Sequence, residues 1–402
     1  MVFAALFWLG LLPDRVTAAG ALSEAVAVSI AADADATTFG LNLSEGVPAE
    51  IFTLANPYRV IIDLPDVGFK LPAAAPKQAR GLISAFRYGL FAEGKARIVI
   101  DTAGPVRIKS AGMTRAGSGV LLSVVLASMD AATFGEGTGA TRHTGPSAEE
   151  KAARAAAEGK GKVARSGKPV IVIDPGHGGI DPGATSAGSV AEKNIVLAVA
   201  QHLKSQLAQG GRYDVKMTRA TDVFVSLDRR LKFSADNDAE LFISLHADSI
   251  EERNAAENIR GATIYTLSEK ASDEQARKMA EKENASDLIA GLDSGSGAAH
   301  DQVKNILIDL LKRETSNFSA DFSNVLAMRL GKSIAMSKDP QRSAAFKVLK
   351  QTHAPSVLIE LGYMSNSKDQ EQMTTAQWQK QVATSIAAAV QAYFSKRTAD
   401  HP

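Results

Sequence analysis

Residues 26–128 show the hydrophobic pattern of a β-protein. Phe39, Leu41 and Leu43 alternate with small or polar residues, which is the pattern of a half-buried strand. Further short apolar runs follow, and turn signals rich in Gly, Pro and Asn separate them. No helical period of any length occurs here. The pattern predicts an all-β, sandwich-like domain of about 100 residues.

Two of these apolar runs share one motif. Residues 59–63 read RVIID and residues 97–101 read RIVID, so each is an arginine, three β-branched residues and an aspartate. This indicates a weak internal repeat of strand-plus-turn units.

Residues 129–167 have a different composition. They are rich in Gly, Ala, Lys, Arg and Glu and contain almost no large apolar residue, so they cannot bury a core. We expect a flexible linker here, with transient helix at most in the AEEKAARAAAE segment.

Residues 168–398 alternate apolar strand runs with helical periods. Residues 170–173, 241–245, 262–267 and 357–361 read as strands, and the helices include one with Ile195, Val199, Leu203 and Leu207 on one stripe. This order predicts an α/β catalytic domain with a largely parallel sheet flanked by helices. The mostly helical stretch at about 268–335 is too long for a simple crossover, so we expect an insertion packed over one face.

The first residues predict export. Residues 2–12 are an apolar run that ends at Pro13, and small residues follow up to Ala21. This fits a signal peptide over 1–21, although a basic first segment is missing; the alternative is a frayed hydrophobic strand. No later stretch reaches the ~18 apolar residues of a transmembrane helix, so we expect a soluble periplasmic protein.

Charge and cysteine content narrow the chemistry. The chain has 45 Lys and Arg against 44 Asp and Glu, a formal net charge of +1, which gives no overall attraction to nucleic acid or acidic membranes. It has no cysteine, which excludes disulfides, thiol catalysis and thiolate metal ligands. Any metal must therefore be held by His, Asp or Glu.

Three predicted strands end in residues of metal-ligand type. His177 follows the first strand, His246 ends a later one, and Glu360 lies in the last. Ligands gather at the carboxyl ends of strands in open α/β sheets, so these residues can converge, and Glu192 at the start of a helix can face the same edge. Asp174 could orient an imidazole or fix the loop.

Two imidazoles and one carboxylate leave an open position on tetrahedral zinc, and a second carboxylate can deprotonate a water molecule there. Each residue also has a structural explanation. A single histidine is more often a hydrogen-bonded residue than a ligand, and Glu192 fits a helix N-terminus. Glu360 is the hardest to explain, because a buried carboxylate without a partner is costly.

Four blocks, IVIDPGHGGIDPGA, AEKN, VFVSLDRRLKFSADNDAELFISLHADS and PSVLIELGYMSN, resemble the zinc-dependent N-acetylmuramoyl-L-alanine amidases of the cell-division type. FTLANPYRVIIDLP in residues 26–128 resembles the AMIN domain of such enzymes, which implies cell-wall targeting. The resemblance implies hydrolysis of the amide between N-acetylmuramic acid and L-alanine in peptidoglycan during septal wall splitting. It implies Zn²⁺ ligands His177, Glu192 and His246, with Glu360 as the catalytic base.

The same resemblance implies autoinhibition. Family members with such an insertion have a helix that occludes the zinc cleft until a protein activator displaces it, and residues 281–289, EKENASDLI, resemble the start of that region. Glu283, or else Glu281, is the candidate to fill the open position on zinc. Val303, Ile306, Leu307, Leu310 and Leu311 have helical spacing and form either core or a docking stripe for the activator.

Two other functions remain open at this stage. One is a catalytically inactive scaffold that binds peptidoglycan, and the other is a zinc peptidase that acts within the stem peptide. A complete set of ligands and base argues against the scaffold, whereas the peptidase is disfavoured only by the resemblance.

Overall fold

The structure of the chain is a computed structural model. It describes residues 22–72, 79–134, 167–186, 188–250, 259–292, 305–351 and 353–400, with the backbone alone for 305–314 and 398–400. The predicted signal peptide at 1–21 and most of the predicted linker at 129–167 lie outside these residues.

The N-terminal region folds into two β-sheets packed face to face. One sheet has the strand order β5-β1-β2-β9-β8 and the other β3-β4-β7-β6. Inward-facing residues of both sheets, such as Phe39, Ile62 and Ile98, form one apolar core. The prediction of an all-β, sandwich-like domain is confirmed. The strands are β1 (Ser23–Ala32), β2 (Thr37–Leu43), β3 (Glu50–Leu54), β4 (Arg59–Pro65), β5 (Val67–Phe69), β6 (Ile83–Ala92), β7 (Lys95–Thr102), β8 (Val106–Ala116) and β9 (Gly119–Ser128).

The two copies of the repeated motif pair with each other. β4 and β7 are antiparallel neighbours, with Arg59 opposite Asp101 and Asp63 opposite Arg97. Each arginine therefore lies across from the aspartate of the other copy. Opposite charges at directly opposed positions stabilise an antiparallel pair.

The C-terminal region is an α/β domain. Its sheet has the order β11-β10-β12-β15-β13-β14, and every neighbouring pair is parallel except β13 with β15. The prediction of a largely parallel sheet is confirmed. The elements are β10 (Val170–Pro175), α1 (Glu192–Ala208), β11 (Asp214–Met217), α2 (Leu227–Asp236), β12 (Leu241–His246), β13 (Ala262–Leu267), α3 (Glu274–Asn284), α4 (Ser286–Ile289), α5 (Asn305–Leu330), β14 (Met336–Ala344), β15 (Ser356–Glu360), α6 (Ser367–Met373) and α7 (Ala376–Asp400).

Helices cover both faces of this sheet. Helices α1, α5 and α7 pack on one face, where the predicted stripe of α1 is buried. Helices α2 and α3 contribute Leu227, Ala276 and Met279 to the cluster on the other face. Within the described residues, no helix combines the length and the apolar character needed to cross a bilayer.

The stretch predicted as one insertion, 268–335, consists of two different parts. Helices α3 and α4 lie beside the carboxyl ends of the strands, next to the candidate site. The second half of α5 belongs to the main core through Phe322, Leu326 and Leu330. Among the described residues of this stretch, therefore, α3 and α4 are the part placed to act on the site.

A separate apolar cluster joins the two domains. The N-terminal domain supplies residues of β3, β4, β6 and β7, and the C-terminal domain supplies Ile180, Phe224, Ala290 and Leu292. The segment that follows α4 is thus packed against the outer face of the sheet that contains β4 and β7.

Candidate metal centre and active site

His177 enters the site from a loop that begins where β10 ends. Its φ is 56°, and the two glycines that follow also have positive φ. Such a conformation is uncommon for a residue other than glycine, so contacts must hold it. A Cβ atom at Gly176 would collide with the His246 ring, and one at Gly183 would collide with the ring of His177. The glycines therefore let the candidate ligands approach each other.

Three donor atoms of metal-ligand type converge on one point. His246 is the last residue of β12 and Glu192 is the first residue of α1. Glu192 Oε1 lies 3.2 Å from Nε2 of His177 and 3.3 Å from Nδ1 of His246. The three ligand atoms all lie within 4.8 Å of one another, and all three side chains are buried.

A divalent metal ion fits this arrangement. His177 Nε2 and His246 Nδ1 are buried and have no hydrogen-bond partner within the described residues, whereas buried polar atoms normally have one. Zn–ligand bonds of about 2.0–2.1 Å imply neighbouring ligand atoms about 3.3 Å apart in a tetrahedron. The two distances to Glu192 match that spacing. The amides of Ala184 and Ala247 donate to the Glu192 carboxylate at 2.8 and 2.7 Å and fix its orientation.

The charges around the imidazoles favour a cation at this point. Burial alone would lower the pKa of both histidines, but Asp181, Glu192 and Glu283 raise the pKa of His177 well above its ordinary value. Glu283 and Glu192 likewise raise the pKa of His246 to about 10, against its burial. The site therefore attracts positive charge, which two protons or one divalent ion can supply.

Glu360 lies beside the cluster on the neighbouring strand. It is the last residue of β15 and is paired in register with His246 of β12. Its Oε2 accepts a hydrogen bond of 2.9 Å from the amide of Asp248, and its Oε1 has no hydrogen-bond partner within the described residues. Burial is the main cause that raises the pKa of Glu360 well above its usual value, and the neighbouring carboxylates add to it. A raised pKa suits a group that must both accept and return a proton.

Among the described residues, Asp174 forms hydrogen bonds with residues other than the two histidines. Its carboxylate accepts hydrogen bonds from Thr218 at 2.6 Å, Ser244 at 2.7 Å and Arg230 at 2.6 Å. Of the two roles that the sequence left open for Asp174, the contacts favour the one in which it fixes the loop.

Asp181 orients His177 and was missed by the reasoning from sequence. Its Oδ2 lies 2.8 Å from His177 Nδ1, and its Oδ1 accepts from the amide of Gly183 at 3.0 Å. A carboxylate on the far nitrogen fixes the ring and leaves Nε2 for a metal. The signal was present as an Asp four residues after His177, but such a spacing in a loop does not by itself place the two side chains together.

Helix α3 places Glu283 in the site and Glu281 on the surface. Glu283 is 5% exposed, and its Oε2 lies 3.1 Å from His246 Nδ1 and 3.5 Å from His177 Nε2. Glu281 is 62% exposed and pairs with Arg277 on the solvent side of the helix. Of the two carboxylates expected to reach the open position, Glu283 is therefore the one that lies next to both imidazoles.

The described residues bring together the chemical groups that a metal-assisted hydrolase needs. Two imidazoles and one carboxylate supply three donors, Glu360 supplies a nearby buried carboxylate, and Glu283 Oε2 lies 3.1 Å from His246 Nδ1 and 3.5 Å from His177 Nε2. A catalytic metal site keeps a fourth position for water or substrate.

Two comparisons with known proteins assign the chain to a family. Residues 171–392 match the sequence signature of N-acetylmuramoyl-L-alanine amidase, and residues 27–124 match the AMIN domain. The N-acetylmuramoyl-L-alanine amidase AmiC of Escherichia coli is 32% identical over 93% of this chain and 90% of its own length. Another from Escherichia coli, AmiA, is 35% identical over 58% of this chain and 80% of its own.

A solved structure, the N-acetylmuramoyl-L-alanine amidase AmiC2 of Nostoc punctiforme, is 26% identical, with a TM-score of 0.40 over 57% of this chain and 99% of that chain. The resemblance inferred from the four sequence blocks is confirmed by the match over 171–392 and by the relative that spans almost the whole chain. The chain belongs to the N-acetylmuramoyl-L-alanine amidase family and carries an AMIN domain before its catalytic domain.

Proposed function

We propose that this amidase uses Zn²⁺, held by His177, Glu192 and His246, to hydrolyse the amide between N-acetylmuramic acid and L-alanine in peptidoglycan. The convergence of the three donor atoms, together with the two unpartnered imidazole nitrogens, is the observation that carries this proposal.

Glu360 is the catalytic base in this proposal. Zn²⁺ in such a site polarises a scissile carbonyl and acidifies water. Glu360 accepts the proton of the attacking water and returns it to the leaving amine, so the C–N bond breaks without a covalent enzyme intermediate. The amide of Asp248 holds one Glu360 oxygen, which leaves the other for this proton. Asp181 keeps the His177 ring in the tautomer that binds metal through Nε2.

We propose further that Glu283 makes the resting enzyme inactive. Its carboxylate lies within 3.5 Å of both imidazole nitrogens, where it competes with water and substrate for the fourth metal position. The α3–α4 segment buries this glutamate over the cleft, so activation requires the segment to move. A protein activator that binds the helical insertion is the proposed cause of that movement. Val303 lies outside the described residues, and so do the side chains of Ile306, Leu307, Leu310 and Leu311.

The proposed setting is the periplasm, where the enzyme splits the septal wall during cell separation and the AMIN domain binds the wall. The match to the AMIN domain and the likeness to AmiC of Escherichia coli over 93% of this chain support this setting.

Mass spectrometry of the products tests the reaction. Purified peptidoglycan is incubated with zinc-loaded enzyme, either the Glu283→Ala variant or the wild type with its activator. We expect stem peptides with a free L-alanine amine and glycan strands without peptides, and none of either after chelation. Fragments cut within the stem peptide would instead establish the peptidase, and absence of stoichiometric zinc from the purified protein would support the inactive scaffold.

A further inference from the structure

The outer face of the AMIN-domain sheet is buried, which is unusual for a sandwich of this kind. Antiparallel sheets normally pack one face on the core and leave the other to solvent. In β4, Val60 and Ile62 face the sandwich core, but Ile61 on the opposite face is also fully buried. Val99 of β7 is buried in the same way. Another part of the chain must therefore cover this face.

The covering part is the end of the segment that we propose is inhibitory. This segment, residues 274–292, contains α3, α4 and the three residues after them and is called the inhibitory segment below. Ala290 and Leu292, just after α4, pack in one cluster with Ile61 and Val99. Gly291 lies between them with a φ of 72°, and a Cβ there would approach Ile61 Cδ1 to 2.6 Å. A glycine is thus required both by the backbone and by the close approach.

Three arginines of the AMIN domain bind the backbone of this segment. Arg59 donates to the carbonyl of Leu288 at 2.7 Å, and Arg87 donates to that of Ile289 at 2.6 Å. Arg97 donates to the carbonyl of Ala290 at 3.1 Å. The last carbonyls of a helix lack partners within it, and those of Ile289 and Ala290 are the ones that Arg87 and Arg97 bind here. The carbonyl of Leu288 accepts from Arg59 in addition to the amide of Gly291, at 3.0 Å.

Aspartates of the same domain fix the orientation of two of these arginines. Asp63 pairs with Arg97 through two bonds of 2.6 and 2.7 Å, and Asp101 pairs with Arg87. Arg59 is fully buried, and Arg97 is 6% exposed. A buried guanidinium that loses its acceptors is strongly destabilised, so the segment and the arginines stabilise each other. Two of the three arginines, Arg59 and Arg97, are the ones that begin the repeated motif.

The same domain also contacts the loop that carries His177. The carbonyl of Leu90, in β6, accepts from the amides of Ile180 and Phe224 at 3.2 and 3.3 Å. The rings of Phe91 and Phe224 are stacked, with their centres 5.8 Å apart. The guanidinium of Arg97 lies 3.5 Å from the centre of the Phe91 ring. The AMIN domain therefore bridges the metal-binding loop and the inhibitory segment.

We propose that the AMIN domain is an intramolecular clamp that holds the inhibitory segment closed, so that activation must break its contacts with residues 288–292. This proposal rests on the proposed inhibition by Glu283. Glu283 and Ala290 lie seven positions apart on one short, continuously described segment. A movement that withdraws Glu283 from the imidazoles therefore pulls on the carbonyls that the three arginines hold.

The test uses the full-length, zinc-loaded chain and loosens the clamp from either side. Arg87→Ala removes the most exposed of the three arginines, whose side chain is 23% exposed, and Leu292→Lys places a cation beside the arginines without altering the AMIN domain. Arg107→Ala is the matched control, because Arg107 is an exposed arginine on the other sheet of the same domain. Hydrogen exchange is measured for residues 282–292 and for β4 and β7, together with hydrolysis of purified peptidoglycan without an activator.

We expect Arg87→Ala and Leu292→Lys to speed exchange of residues 282–292 and basal hydrolysis by about tenfold over Arg107→Ala, the effect of losing one charge-assisted hydrogen bond. Protection of β4 and β7 should persist; if Arg87→Ala unfolds them, Leu292→Lys decides the outcome. If both variants show the same hydrogen exchange and the same basal hydrolysis as Arg107→Ala, the clamp proposal is wrong.

Glu283→Ala separates this failure from that of the proposed function. If Glu283→Ala raises basal hydrolysis while the two clamp variants do not, inhibition by Glu283 stands and the clamp is wrong. If Glu283→Ala leaves basal hydrolysis unchanged, the proposed inhibition fails and the regulatory role of the clamp fails with it.

Discussion

Two segments meet at the metal centre, the His177 loop and the inhibitory segment, and different kinds of contact hold them. The carbonyls of Pro175, Gly176 and His177 in the loop accept hydrogen bonds of 2.7–3.0 Å from Arg219 and Arg230. Each of these arginines is 3% exposed. Removing either would leave several buried backbone acceptors without donors, so this loop is a permanent part of the fold.

The inhibitory segment is attached to the catalytic domain through more exposed groups, and its contacts with the buried Arg59 and Arg97 are to the AMIN domain. Lys282 pairs with Asp248 at 2.6 Å while its side chain is 36% exposed, and Asp287 accepts a bond of 2.9 Å from the amide of Leu227. Its apolar contribution is mainly small side chains such as Ala280 and Ala290. These contacts with the catalytic domain can be exchanged for water or for a partner at modest cost, whereas the bonds of the buried Arg59 and Arg97 must be broken before the segment can leave. This difference supports the proposal that the inhibitory segment moves on activation while the His177 loop stays in place.

Loss of a candidate metal ligand should have the largest effect on activity, because the His177 loop and its neighbouring strands offer no substitute for that ligand. His177→Ala or His246→Ala should remove zinc and abolish hydrolysis of purified peptidoglycan. His202→Ala, on α1 and away from the cluster, is the matched control and should keep both. Metal analysis checks this directly, and stoichiometric zinc in either ligand variant would show that its histidine is not a ligand.

The next largest effect should come from Glu360→Gln. The amide keeps the size of the side chain and its bond to Asp248, so fold and zinc content should persist. Without a group to move the proton, turnover should fall by ~10²–10⁴-fold. Measurements on the Glu283→Ala background avoid the inhibited state. Loss of zinc from Glu360→Gln would instead make Glu360 a ligand and leave the base unassigned.

Release of the segment should produce a gain in activity. Glu283→Ala removes the carboxylate near both imidazoles and should raise basal hydrolysis roughly tenfold or more, as expected for the loss of a charge-assisted contact. Glu281→Ala, two residues away on the solvent side of α3, is the control and should have wild-type activity. Equal rates for both variants would show that α3 does not inhibit through Glu283. Deleting all of 268–335 is a poor test, because it also removes the core residues of α5.

The sequence predicted the strands that carry the candidate ligands, for a physical reason. His177, His246 and Glu360 follow or end apolar strands, and parallel strands place their carboxyl ends at one edge. By contrast, β14 was not predicted, since its polar sequence MSKDPQRSA lies at the edge of the sheet and lacks strand alternation.

The segment that covers the AMIN domain was not predicted either, although residues 60–62, VII, are the continuous apolar run of a strand buried on both faces. A run of that kind indicates a partner but does not say which segment provides it. The pairing of Arg59 with Leu288 joins residues 229 positions apart, and nothing in local pattern encodes such a contact.

The smallest predicted effect concerns the inner face of α3. It tests whether contacts on this face alone control the release of the inhibitory segment from the site. The Asn284 side chain donates to the carbonyl of Ala345 at 2.9 Å and accepts from the amide of Lys347 at 2.6 Å, which ties the end of α3 to the catalytic domain. Asn284→Ala should weaken the closed state by about 1 kcal/mol and raise basal hydrolysis about fivefold, with zinc content unchanged.

Arg277→Ala is the matched control on the outer face of the same helix. Arg277 pairs only with Glu274 and Glu281 of α3 itself among the described residues, and such exposed pairs contribute little, so its basal rate should change less than about twofold. A comparable rise in both variants would mean that helix stability, and not attachment to the domain, keeps the enzyme closed. If Glu283→Ala clearly raises basal hydrolysis and Asn284→Ala does not, Asn284 does not hold the segment closed. The contacts that hold it would then be those of Lys282 and of the arginines of the AMIN domain.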